Sequence, residues 1–132
     1  MQFDFLPFEN DEIGIDFDNF EVNEELKLFN DYEPRPVDIL IRLYIPPKKT
    51  KGGIIMDNSR AIYNEITGYI AKIGKCCFSG ERYKEWGNWY KEGEWIVFPR
   101  HAGTRFTYKN LPVFSIVDDA PIAIIKDPRV VR

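Results

Sequence analysis

Histidine is almost missing from this 132-residue chain: His101 stands alone, and cysteine occurs only as the adjacent pair Cys76-Cys77. A single histidine excludes metal centres that need several imidazoles, and the cysteine pair has no C-x-x-C partner for a zinc or redox motif. Neighbouring cysteines bridge each other only under strain, so the pair builds no disulfide framework and fits a reducing, intracellular setting. Long apolar runs are missing too. None approaches the roughly 18–20 residues that cross a bilayer, and Met1-Gln2-Phe3-Asp4 has neither the basic nor the apolar region of a secretory signal. Gly52-Gly53 lacks the Lys-Ser/Thr sequel of a phosphate-binding loop. No motif joins a cysteine to His101 as a nucleophile pair, and Asp118-Asp119 reads as a hairpin turn rather than a catalytic dyad. The expectation is a protein without catalysis, metal or cofactor.

Positive charge is scarce at one end. Residues 1–34 carry eleven acids against one base, Lys27, for a net −10; residues 35–132, with 17 bases and 10 acids, are +7. Opposite signs on two parts of one chain invite contact, within the chain or between neighbours. The acidic part is not a plain solvated tail, because Phe3, Phe5, Phe8, Ile13, Ile15, Phe17 and Phe20 are interspersed among the acids, and disordered tails are poor in aromatics. It reads as an extended arm whose apolar residues dock on a partner surface. Ile13–Phe17 alternates like a strand, and 23–29 suits two helical turns capped by Asn23.

Pro34 and Pro36 close the arm, so the expected division is an arm at 1–34 and a body at 35–132. Aromatics are plentiful at 15%, and the body is dominated by residues that favour strands over helices. Strands are expected at 37–45, 66–74 (with Gly68 at a bulge or close approach), 95–99, 105–108, 111–117 and 120–125, separated by turn residues. Short strands at this spacing predict an all-β fold, a small β-barrel. Two stretches interrupt the pattern. Residues 46–59 run Pro46-Pro47, three lysines, Gly52-Gly53, then Ile54-Ile55-Met56, an aliphatic triplet between turn-forming flanks. Residues 75–92 form a long loop of aromatic and charged residues, expected to serve function or assembly.

Five of these features, in order, resemble the GroES family of co-chaperonins. They are Arg35-Pro36-Val37-Asp38 before an aliphatic strand, Gly52-Gly53-Ile54-Ile55-Met56, Gly68 through Gly74, Lys91-Glu92-Gly93-Glu94 before an apolar strand, and Asp118-Asp119 before the last strand. The run from Pro99 to Phe106 and the Trp-rich 75–92 loop look most like bacteriophage-encoded members. The resemblance spans about 35–127 and implies a GroES-like β-barrel with 75–92 roof-like. It further implies a homo-oligomer, heptameric in a co-chaperonin, closed by pairing 37–44 of one copy with 120–125 of the next. Gly52, Gly53, Ile54, Ile55 and Met56 would be the chaperonin-binding residues, assisting protein folding (of a phage capsid) in the host cytoplasm. Any ATP would belong to the chaperonin.

The arm has no counterpart in ordinary co-chaperonins. It opens a second reading: a phage virion protein, decorating or cementing a capsid or sitting at its connector, that reuses the barrel and clamps phage shell proteins with its arm. Nucleic acid is a poor third partner. Arg82–Lys91 interleaves bases with aromatics, but Glu81, Glu85 and Glu92 dilute its charge. No membrane partner is expected.

Overall fold

The clearest strand expectation, 37–45, lies at the centre of the sheet. In the computed structural model, which describes residues 14–47 and 66–131, the strands are β1 (Asp38–Leu43), β2 (Thr67–Ile73), β3 (Trp95–Val97), β4 (Thr104–Tyr108), β5 (Leu111–Val117) and β6 (Ala123–Ile125). They form one antiparallel sheet in the order β4-β5-β1-β2-β3-β6. β1 pairs with β2 on one side and with β5 on the other, Ile39 facing Ile73 and Ile116. The protein is therefore mostly β.

This order corrects one implied feature. A ring closed through 37–44 needs β1 to have a free edge, and both of its edges are occupied within the chain. Among the described residues the outermost strands are β4 and β6.

Strand alternation sends Ile39, Ile41 and Leu43 to one face of β1 and Leu40, Arg42 and Tyr44 to the other. Both sets are buried, because each face of the sheet has its own cover. On the inner face the β1 residues join Ile70, Ile96, Phe98, Phe114 and Ile116. The 75–92 loop closes over them with Cys77, Phe78, Trp89 and Tyr90. This loop is more ordered than expected. It contains a short helix, α2 (Tyr83–Trp86), and is fixed by Asp118: Phe78 N–H donates to its carboxylate (2.9 Å), and Tyr90 Oη donates to its carbonyl (2.6 Å).

The outer face is covered by the acidic segment. Its helical part is α1 (Val22–Leu26), followed by a 3-10 turn, Lys27–Phe29; Glu21, not Asn23, precedes the first turn, and no side chain caps it. The strand expected at 13–17 does not form in its described part. Ile15 N–H donates to Ile45 C=O (2.7 Å), and the chain then turns into a 3-10 helix, Phe17–Asn19.

Gly68 sits opposite Leu43, where a Cβ would run into the Arg42 carbonyl. That is the close approach. The bulge lies further on, where Leu40 pairs with Lys72 but Ile41 with Ile70. Ala71 is the extra residue.

Candidate functional site

Arg42 is the one charged side chain within β1 beyond Asp38, and nothing in its own strand can neutralise it. It points to the outer face, where its neighbours are apolar or aromatic: Leu40, Tyr44, Tyr69, Ala71, Trp95 and Val113. Its side chain is wholly buried. An arginine cannot shed its proton to escape such a site, so burial demands a carboxylate. Glu25 of α1 supplies it, with Arg42 Nε donating to Oε1 at 2.9 Å. Tyr69 Oη donates to the same oxygen at 2.6 Å. Burial and the neighbouring carboxylate both push the Tyr69 phenol far above its ordinary range, so it remains a donor at physiological pH. Arg42 Nη1 donates to the Leu43 carbonyl at 2.8 Å, while Nη2 has no hydrogen-bond partner among the described residues.

Around this buried pair the segment fills an aromatic surface. Phe17, Phe20, Tyr44 and Tyr69 surround the Trp95 ring at centroid distances of 5.4–6.3 Å. Phe29 is fully buried and stacks on Tyr108 at 5.8 Å. Two further acid–base pairs fix the ends. Asp18 meets Arg129 at 3.1 Å, and the Arg129 guanidinium lies 4.8 Å from the Phe17 ring. At the other end Asp31 accepts from Lys109 Nζ (3.0 Å) and Tyr108 Oη (2.6 Å). These two hydrogen bonds hold the Asp31 carboxyl below its ordinary value. The outer face is thus covered by the chain's own acidic segment, held there by one buried and two exposed ion pairs.

Of the arm residues singled out from sequence, Ile15, Phe17 and Phe20 are all turned onto the chain's own sheet. Phe3, Phe5, Phe8 and Ile13 lie outside the described residues, as do Gly52, Gly53, Ile54, Ile55 and Met56. What can be described is the root of that insertion. It leaves after Pro46-Pro47 and returns at Ile66, beside the Tyr44 N–H to Thr67 C=O bond (2.9 Å) and the Phe98 N–H to Ile66 C=O bond (2.9 Å). Gly14 packs directly against Pro46-Pro47, so the arm enters at the same corner.

The remaining candidates are the cysteine pair and the run Arg82–Lys91. Cys77 Sγ points at the Asp38 and Pro36 carbonyls, and burial is the main cause that pushes its thiol up to about 11. A thiol so protonated at neutral pH is a poor nucleophile. Cys76 is exposed. Within Arg82–Lys91, Tyr83 and Tyr90 are buried and Trp89 packs toward the core, leaving Trp86 as the one exposed ring rather than a row of rings on which bases could stack. Trp86, Trp89, Pro121 and Ile122 line a surface groove of about 560 Å³ with the ion pair Arg82–Asp119 at its side. Among the described residues no cluster of His, Cys, Asp and Glu could hold a metal ion, and no helix is long and apolar enough to cross a membrane.

Sequence reasoning missed Arg42, Glu25 and Tyr69. The available signal was a lone arginine in an otherwise apolar strand, together with an acid surplus elsewhere in the chain. No protein-family model matches the chain, and no curated protein is significantly similar to it.

Proposed function

We propose that this protein is a co-chaperonin-like, non-catalytic β scaffold that self-assembles and engages a chaperonin through Ile54, Ile55 and Met56. The observation that supports this reading is the root of the 48–65 insertion. Its two ends lead into the adjacent strands β1 and β2, which pair with each other, and Ile45 and Thr67 at the root are buried. Eighteen residues are far more than an antiparallel connection needs, and long insertions between paired strands usually carry function. A rigid base beneath an aliphatic triplet suits repeated, weak partner contact. Ordering such a segment costs about 1–2 kcal/mol per residue, so one contact is weak, and several copies on one assembly add avidity.

The test is association with a purified chaperonin, with and without ATP, followed by size-exclusion chromatography. Binding should depend on nucleotide and should be lost when Ile54, Ile55 and Met56 are all changed to serine. No nucleotide-dependent complex, or full binding by the triple variant, would sink this reading.

A further inference from the structure

We propose that β6 is a self-association edge: two copies of this chain pair antiparallel through their β6 strands about a two-fold axis. This goes beyond the chaperonin reading and does not depend on it, since it uses none of Ile54, Ile55 and Met56.

The first support is an apolar rim that the inner cover leaves open. Ile96 belongs to the inner core and faces Ile124 across the β3–β6 ladder, so Ile124 and, by alternation, Ile122 lie on the inner side. The 75–92 loop closes over the core but stops short of β6, where Ile122 is 60% and Ile124 38% exposed. Trp86 of α2, 56% exposed, continues the rim across the groove it forms with Trp89, Pro121 and Ile122. Clustered apolar side chains beside a free strand edge mark a contact surface.

The second support is the edge itself. Among the described residues β6 pairs with β3 alone, so the backbone groups along its other side have no partner strand. The sheet's opposite edge is of another kind. β4 sets Thr104, Arg105 and Thr107 along its length, and Arg105 Nη2 donates to the Arg100 carbonyl (3.0 Å). Polar and charged side chains of this sort discourage edge pairing, and β6 has none between Ile122 and Ile125.

The third support selects a second copy as the occupant. Two β6 strands related by a two-fold axis normal to the sheet keep their inner sides in common, so each residue meets one an even number of positions away. With Ala123 opposite itself, Ile122 of each copy meets Ile124 of the other. Sliding by two residues sets Ile122 against Lys126 or Ile124 against Ala120, so this register alone pairs both isoleucines. It also matches charge. Lys126 is exposed and has no ion-pair partner among the described residues, and it falls opposite Ala120 of the other copy, next to Asp119. That carboxylate is 41% exposed and holds Arg82 only at 3.5 Å. Symmetry makes the Lys126–Asp119 contact twice. Asp127, level with the same Asp119, already has Arg129 as its counter-ion at 2.8 Å. The result is a closed, isologous pair.

The experiment uses the full-length chain and two variants, Ile122→Glu and Ile124→Lys. Both side chains are exposed, so each variant should keep the wild-type circular dichroism spectrum. Light scattering should give twice the chain mass for the wild type, and each variant alone should associate about tenfold more weakly or worse. Mixed, with one carrying a mass tag, the two variants should prefer each other in native mass spectrometry, because the introduced carboxylate of one lies against the introduced ammonium of the other. The register has its own readout. Ala123→Cys in a Cys76→Ser background should form a disulfide-linked dimer on mild oxidation, since only this register sets position 123 against itself. A monomeric wild type, or association that neither single change weakens, overturns the proposal. A mixture without preference for the hetero-pair, or no link through position 123 in a chain that still associates, overturns it as well.

Discussion

The two faces of the sheet are covered in different ways. Over the inner face lies the 75–92 loop, fastened at both ends by β2 and β3 and contributing Cys77, Phe78, Trp89 and Tyr90 to the core. Over the outer face lies a segment anchored at Ile15 by a backbone hydrogen bond to Ile45 and joined to β1 through residues 33–37. It is held by aromatic packing and three acid–base pairs. A cover bound at both ends is positioned by connectivity and needs little beyond apolar fill and the Asp118 bonds. The outer cover adds charge placed at fixed points, which sets where it lies on the sheet.

The largest contrast is expected from two phenylalanines. Phe114→Ala removes a ring from the inner core, where it lies 4.8 Å from Phe98; the loss should be about 3–5 kcal/mol of global stability in urea unfolding. Phe29 is equally buried, but Phe29→Ala should act mainly on its own cover. It should speed trypsin cleavage at Lys27 several-fold while the midpoint falls less than for Phe114→Ala. Equal shifts of both observables in both variants would erase the distinction between the covers.

Next in size is the buried pair. Glu25→Ala strands Arg42 in an apolar face and should cost about 3 kcal/mol, since breaking a buried pair leaves an uncompensated charge. Adding Arg42→Met to that variant should recover most of the loss, which equilibrium unfolding of the single and double variants would measure. If the double variant is as unstable as the single one, the arginine is not what makes the outer cover demanding.

Acid should produce the smallest effect, and on one cover only. The folded-state pKa of Asp31 is lowered from 3.8, chiefly by the hydrogen bond from Tyr108 and then by that from Lys109. A depressed carboxylate contributes stability that is complete above its ordinary value and is lost as pH falls through the folded one. Amide exchange at residues 28–32 should therefore quicken below about pH 3.8 ahead of exchange in β1. Asp31→Asn should remove that step.

Much of the fold was legible in the sequence, because strand alternation and turn residues are local properties. β1, β2 and β5 fall within a residue or two of the expected 37–45, 66–74 and 111–117. Strand order is not local, and the central place of β1 emerged only from its pairing with β5, 71–79 residues away. Gly68 was expected at a bulge or a close approach and is the close approach, while the bulge lies at Ala71, since a glycine in a strand announces both alike. The acidic segment was legible as something that docks, from its aromatics and its charge. Its target was not, for a β1 buried on both faces and a β1 with one face awaiting a foreign partner have the same sequence. The single arginine among the aliphatic residues of β1 was the available hint that a carboxylate must come from elsewhere.

The outer cluster also imposes an order in time. Ile15 and Phe29 pack with Tyr69, Trp95 and Val113, so the segment leaves the ribosome before most of the surface it will cover. At roughly 5–20 residues per second, the ninety-eight residues from Ile15 to Val113 take about 5–20 s to make. Throughout that interval a stretch containing Phe17, Phe20 and Phe29 must stay solvated, and its acids serve that need before any of them meets a base.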